Sequence, residues 1–200
     1  MQSGLLTMQL TLSDQQQTLL IDYLHLLQHW NKTYNLTAIT DFEKMITHHL
    51  LDSLSISPYL TGENIVDVGS GAGLPGIPLA VYFPDKKFTL IDSIGKKVRF
   101  MNQVVRELAL QNVVVVEARA EEYPTQHAFD TMIARAVGSI DVLVRIAWHL
   151  LCQNGTLLMM KSEVSPAEII FPHRMITLTV PGIAAKRSLI MAQRDESWQK

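Results

Sequence analysis

Between residues 13 and 34 apolar side chains recur at helical spacing. Leu20, Tyr23, Leu24, Leu27, Trp30 and Tyr34 fall on one face, the pattern of an amphipathic helix. Ser13 with Gln16 three residues on is a capping-box pair at its start. A second stripe, Phe42, Met45, Ile46, His49, Leu50, Ser53 and Leu54, follows Asp41 as its candidate cap and stops at Ser57-Pro58. Past the Thr61-Gly62 turn the texture changes. Short β-rich runs at 64–68, 87–92, 113–117, 131–134 and 156–161 alternate with helical stretches at 74–82, 95–110 and 139–151. Apolar, weakly alternating strands separated by helices predict a parallel sheet covered on both faces. The tail has two strand-like runs, 175–180 and 188–193, with no helix between them, and an antiparallel pair closing the sheet is expected. The pattern therefore predicts an α/β fold: a doubly wound, Rossmann-like sheet at 61–200 behind a helical extension at 1–60.

Composition narrows the class. At 200 residues, with 48% apolar and 18% charged residues, the chain can bury a sizeable core and is not a disordered one. The net charge of −2 excludes a globally basic nucleic-acid binder, so any such binding needs a local patch. One candidate exists: at about 100° per residue, Lys96, Arg99 and Arg106 share the side of the 95–110 helix opposite its apolar face. An ordinary solvated helix face is the plainer alternative. The lone Cys152 excludes an internal disulfide and fits a reducing compartment. The opening MQSGLLTMQL carries no Lys or Arg and is not read as a secretory signal. The longest apolar candidate, 140–151, is broken by Asp141, Arg145 and His149, too short for a membrane span. No His-Glu-x-x-His occurs and no metal site is expected.

The most informative segment is Val66-Asp67-Val68-Gly69-Ser70-Gly71-Ala72-Gly73-Leu74-Pro75-Gly76, where the first strand meets its helix. Glycines there let the backbone approach a ligand and open the helix N-terminus toward it. Two frames compete. Gly71, Gly73 and Gly76 satisfy the dinucleotide pattern G-x-G-x-x-G, but start late for a loop leaving the strand at Val68. Asp67, Gly69, Gly71 and Gly73 instead give acid-x-Gly-x-Gly-x-Gly, starting at the strand end; this is the cofactor loop of S-adenosylmethionine-dependent methyltransferases. Asp92 ends the second strand, 25 residues after Asp67. In either class an acid there accepts bonds from ribose hydroxyls, and it can also cap the following helix.

A longer ordered set of residues carries a resemblance. Asn35-Leu36-Thr37-Ala38-Ile39, His49-Leu50-Leu51-Asp52-Ser53-Leu54, the glycine loop through Ala80, Leu90-Ile91-Asp92-Ser93 with Lys96-Lys97 and Phe100, Arg119-Ala120-Glu121-Glu122 and Arg135-Ala136 together resemble the glucose-inhibited division protein B family. Its members are small-subunit ribosomal RNA guanine-N7 methyltransferases. The chain departs from the family at Ser162, where glycine is usual. The resemblance implies a methyltransferase-type sheet, S-adenosyl-L-methionine as cofactor and small-subunit (16S) ribosomal RNA, or the small subunit, as partner. It also implies cofactor contacts from Asp67, Gly69, Gly71, Gly73, Leu74, Asp92, Ala120, Glu121 and Arg135. Arg135 would position the reacting groups, and RNA would meet Asn35, Lys96, Arg99 and Arg106. A cytoplasmic monomer is expected. A methyltransferase of another RNA or small molecule, a non-catalytic nucleotide-binding module, and a nicotinamide dehydrogenase are the competing readings.

The residues after the fourth strand bear on the chemistry. Ile133-Ala134-Arg135-Ala136-Val137 lacks the Asn/Asp-Pro-Pro-aromatic motif of exocyclic-amine methyltransferases. C5-pyrimidine methylation needs a cysteine nucleophile, and Cys152 lies away from the expected site. Guanine N7 needs neither device, since its lone pair is free and no proton leaves. Catalysis by positioning is enough.

Overall fold

The computed structural model describes residues 1–124, 126–135, 138–162, 169 and 171–199. Seven strands form one sheet: β1 (Asn64–Val68), β2 (Lys87–Asp92), β3 (Val113–Glu117), β4 (Phe129–Arg135), β5 (Leu151–Lys161), β6 (Arg174–Leu178) and β7 (Arg187–Gln193). Their order is β3-β2-β1-β4-β5-β7-β6. The first five run parallel, and β7 joins β5 and β6 antiparallel. This matches the α/β architecture expected from the pattern, including the antiparallel finish. The strand order reverses between β1 and β4, so the crevice for a ligand opens at their carboxyl ends.

Each face of the sheet is covered. Helix α7 (Ile140–Leu150) buries Ile140, Leu143, Ala147 and Leu150 against one face. On the other face α5 (Gly76–Tyr82) and α6 (Gly95–Glu107) share a core with the N-terminal helix α2 (Asp14–Tyr34): Leu20, Tyr23, Leu24 and Leu27 are fully buried with Ile77, Phe88 and Phe100. The capping box forms as expected, Ser13 Oγ accepting from Gln16 N and the Gln16 side chain accepting from Ser13 N. The Gln16 amide nitrogen also donates to the Val81 and Tyr82 carbonyls at 2.9 and 3.1 Å. One glutamine thus caps α2 and satisfies two of the last carbonyls of α5, which lack intrahelical partners.

Three local features differ from the expectation. A short α1 (Gln2–Thr7) precedes the first amphipathic helix; a single turn and a half with Gly4 in it carries no periodic signal. The second stripe is not one α-helix. It runs as α3 (Phe42–Met45), a π-helical turn (Ile46–Leu51) and α4 (Asp52–Leu54). Apolar spacing barely separates 3.6 from the wider period over six residues, so the π turn is invisible to it. Strand β5 starts at Leu151, directly after α7, five residues before the expected start at Thr156.

Helix α2 also braces the glycine loop. The Tyr23 hydroxyl, fully buried, donates to the Ala72 carbonyl at 2.8 Å. Burial holds this phenol above its usual range, so it remains a donor. Tyr23→Phe keeps the ring and strands that carbonyl, a cost of about 1–3 kcal/mol. Urea denaturation is expected to show a loss of that size with an unchanged slope; equal stability would show that the bond contributes nothing.

Candidate active site

The glycine loop is built around one carboxyl. Asp67, at the end of β1, is fully buried, and its Oδ2 accepts from Gly76 N, the first amide of α5, at 2.9 Å. Five further amides of the loop have acceptors. Gly69 N and Ser70 N donate to the Ile91 carbonyl, Gly71 N to Asp92 Oδ2 at 2.9 Å, and Gly73 N and Leu74 N to the Ser70 carbonyl. A dinucleotide pyrophosphate needs free amides at the helix start. Here Asp67 already occupies that end, so this geometry favours the acid-x-Gly-x-Gly-x-Gly frame.

The glycines divide their work. A Cβ on Gly71 (φ +61°) would meet no protein atom closer than 3.9 Å and would stand toward the Lys97 ammonium; the backbone is bare where a ligand would approach. A Cβ on Gly73 would collide with Ile77, and one on Gly76 with Leu90 and Asp67, so these two serve close packing.

Beside the loop lies a crevice of about 300 Å³ lined by Gly69, Asp92, Ile94, Lys97, Ala120 and Glu121, with Val142 and Ile146 of α7 on its far wall. Asp92 is 5% exposed and organises it. Its Oδ2 takes Gly71 N and, at 3.4 Å, the Lys97 ammonium, while Oδ1 takes Ile94 N at 2.9 Å. One carboxylate thus ties the β1 loop to the β2 loop. Two oxygens offer about four acceptor sites, so capacity remains for hydroxyls of a ligand. Ala120 and Glu121 sit on a short 3₁₀ turn after β3, and Glu121 lines the crevice whereas Glu122 does not.

A second pocket, about 270 Å³, opens at the ends of β4 and β5 between Ile39, His48, His49, Asp52, Arg135, Met160 and Arg187. The two hollows open at the ends of adjacent strands: Val68 pairs with Ala134 in register, and Val68 and Gly69 line the first hollow while Arg135 lines the second. Arg135 Nη1 donates to Asp52 Oδ2 at 3.0 Å and to the His48 carbonyl at 3.2 Å. Arg187 Nε donates to Asp52 Oδ1 at 3.2 Å. His49 is 3% exposed, its Nε2 hydrogen-bonded to Thr37 Oγ1 at 3.0 Å. Burial and the Arg135 charge depress its pKa to about 4, so the ring is neutral at pH 7. Asn31 grips Thr37 from both sides, Nδ2 donating to its carbonyl and Oδ1 accepting its amide.

Of the expected cofactor residues, Gly69, Asp92, Ala120 and Glu121 line the crevice, and Gly71 reaches it through its N–H on Asp92. Asp67, Gly73 and Leu74 lie behind, Leu74 in the core. Arg135 faces the second pocket, and Ala136, next in the motif, lies outside the described residues. Asn35 is exposed, capping α2 in the left-handed conformation. The basic stripe is not uniform. Arg99 and Arg106 are exposed, but the Lys96 ammonium donates to the Tyr34 carbonyl at 2.7 Å. The helical wheel places Lys96 around α6 correctly and cannot show that α2 ends beside it, with terminal carbonyls needing donors. Lys97, Asp52 and Arg187 were not among the expected site residues. The Asp52-Ser53 and Lys96-Lys97 motifs pointed near two of them, but the pairing of Asp52 with Arg187 spans most of the chain and leaves no local signal.

A seven-stranded parallel sheet with an antiparallel end, an acid closing β1 and a second acid closing β2 beside an open glycine defines the class: a Rossmann-like methyltransferase. Comparison with known proteins agrees and narrows it. The family described as rRNA small subunit methyltransferase G matches residues 16–186, and the chain belongs to that family. The ribosomal RNA small subunit methyltransferase G of Legionella pneumophila (strain Philadelphia 1) is 46% identical over 176 residues, covering 86% of this chain and 85% of that protein. That of Saccharophagus degradans is 46% identical over 200 residues, covering 96% and 90%. In fold, a SAM-dependent methyltransferase from Aquifex aeolicus superposes with a TM-score of 0.57 at 16% identity, over 75% of this chain and 92% of that one. Among the described residues no helix is long and apolar enough to cross a membrane.

The buried carboxyl yields a pH test. Burial pushes the Asp67 pKa up to about 7, and the Gly76 N–H and the Arg135 charge only partly oppose it. The folded state therefore binds this proton more tightly than the unfolded chain, whose carboxyl titrates near 3.9. Its contribution to stability is present below about pH 4 and is lost as pH rises toward 7. In Asp67→Asn, the change in urea midpoint across that window is expected to be smaller than in the unaltered chain. Identical profiles would place this proton elsewhere.

Proposed function

We propose that the chain transfers a methyl group from S-adenosylmethionine to N7 of a guanine in small-subunit (16S) ribosomal RNA, acting as a cytoplasmic monomer on the RNA or the small subunit. The observation that carries this reading is the bare backbone at Gly71 facing a crevice bounded by Asp92 and Glu121, one strand away from a base-sized pocket headed by Arg135. The crevice fits the cofactor. Asp92 has acceptor capacity for ribose hydroxyls, Ile94, Val142 and Ile146 offer apolar wall to a flat ring, and Ala120 and Glu121 border the place of its edge. When bound, S-adenosylmethionine supplies an electrophilic methyl on a sulfonium sulfur.

The chain's own part is to hold and orient. N7 attacks with a free lone pair and loses no proton, so no side chain has to act as a base. The neutral, buried His49 is accordingly free for packing and hydrogen bonding. Holding N7 in line with the methyl converts a bimolecular step into a nearly unimolecular one. Arg135, held by Asp52 and the His48 carbonyl, is a fixed cation lining the second pocket. RNA phosphates would meet the exposed Arg99 and Arg106, with Lys96 and Asn35 at the adjoining end of α2.

Borohydride/aniline cleavage of 16S RNA incubated with the chain and S-adenosylmethionine is expected to reveal one new N7-methylguanine; none would end this reading. Gly71→Val places a β-branched side chain on a backbone at positive φ and fills the open side. Calorimetry with S-adenosylhomocysteine is expected to show at least a 100-fold loss of affinity in a folded variant. Undiminished binding would put the cofactor elsewhere.

A further inference from the structure

We propose that Asp52 reads the Watson–Crick edge of the target guanine, its carboxylate accepting hydrogen bonds from N1–H and the 2-amino group. This rests on the guanine-N7 reading above and names the residue that makes the base pocket selective for guanine.

The first observation is how Asp52 is held. It is only 4% exposed, yet it lines the second pocket. Two guanidinium groups reach it, but each through a single donor to a different oxygen: Arg135 Nη1 to Oδ2 and Arg187 Nε to Oδ1. A carboxylate serving only as a lock would be expected to engage arginine through a two-bond fork. Here each oxygen keeps acceptor capacity beyond its one arginine contact. The backbone is arranged for this too. The π turn at Ile46–Leu51 immediately precedes Asp52, and its His48 carbonyl takes the second Arg135 contact. Such turns recur at functional sites.

The second observation is the pattern around the carboxylate. Arg135 and Arg187 are donors only, and Asp52, between them, is an acceptor only. Guanine's Watson–Crick edge complements the Arg135–Asp52 part of this row: the O6 acceptor meets Arg135, and the N1–H and 2-amino donors meet the Asp52 oxygens. Adenine would bring its 6-amino group toward Arg135 and its N1 lone pair toward the carboxylate, a mismatch at both places. Ile39 and Met160 supply apolar surface for the ring faces.

The third observation is direction. N7 must face the methyl, hence the crevice at Gly69 and Gly71. The Watson–Crick edge lies on the opposite side of the purine and so points away from the crevice. With Val68, which lines the crevice, paired in register with Ala134, the neighbour of Arg135, away from the crevice means into the pocket that holds Asp52.

The test uses the full chain and RNA in which the mapped guanosine is replaced by inosine, which keeps O6, N1–H and N7 but lacks the 2-amino group. A hydrogen bond to a charged acceptor supports a loss of about 10- to 100-fold in kcat/KM on inosine. In Asp52→Asn and Asp52→Ala the guanosine rate falls and the guanosine-to-inosine ratio is expected to collapse below about 3. Arg187→Ala, which leaves the carboxylate in place, is expected to retain the ratio. Comparing ratios cancels any intrinsic difference in N7 reactivity. If both Asp52 variants slow the two RNAs equally and keep the ratio, Asp52 is only a counter-ion and the proposal fails. Equal rates on both RNAs with the unaltered chain overturn it without any variant. Absence of methyl transfer to guanosine itself is a different failure: it removes the guanine-N7 reading, and this proposal with it.

Discussion

A buried carboxyl at the start of α5 fixes the rest of the site. The Asp67 side chain stands where a phosphate would stand in a dinucleotide-binding fold, against the first amide of the helix. The first amide of a helix needs an acceptor, and here the chain supplies it. The glycine loop can then fold back on Ile91 and Asp92 rather than splay its amides toward a ligand. What it presents to the crevice is the bare backbone of Gly71. The arrangement leaves hydroxyls and apolar surface as the features to be recognised, and Asp92, Glu121 and the α7 wall are suited to them.

The N-terminal helices complete this site from outside the sheet. Tyr23 ties the Ala72 carbonyl, Asn31 and Thr37 carry the bonding to His49, and the π turn positions the His48 carbonyl and Asp52 for Arg135. Residues 1–60 therefore share both the core cluster and the second pocket with the sheet. An interior transmits displacement because it is close-packed, so movement of α2 would be felt at the loop.

The sheet was legible because its strands are buried on both faces and read as continuous apolar runs, with turn residues between them. The glycine frame was legible because Asp67 and Asp92 each terminate a strand. Other features were not, for three separate reasons. The π turn differs from an α-helix by one residue in a turn, below what a stripe of Met45, Ile46, His49 and Leu50 resolves. The Asp52–Arg187 pair spans 135 residues and depends on the antiparallel return of β7. Lys96 has the right angle on α6 for a solvent-facing cation, but the end of α2 is its neighbour. Local periodicity assigns a residue to a face; only the tertiary neighbour decides whether its charge remains available.

That distinction explains how a chain of net charge −2 can serve a polyanion. Electrostatic attraction of RNA depends on the cations that remain exposed, and of the α6 stripe these are Arg99 and Arg106. Lys97 and Arg135 instead face carboxylates at the two hollows, where Asp92 and Asp52 partly neutralise them. Half-buried, paired charge of this kind adds little long-range attraction, because its field is already balanced by a partner within 3.4 Å. It acts at short range, by fixing donors and acceptors in a rigid pattern that a base must match. On the proposed reading, affinity for the backbone would rest on the exposed Arg99 and Arg106, screened by salt, and selection of the base on Asp52 and its arginine partners in the second pocket, more sheltered from it.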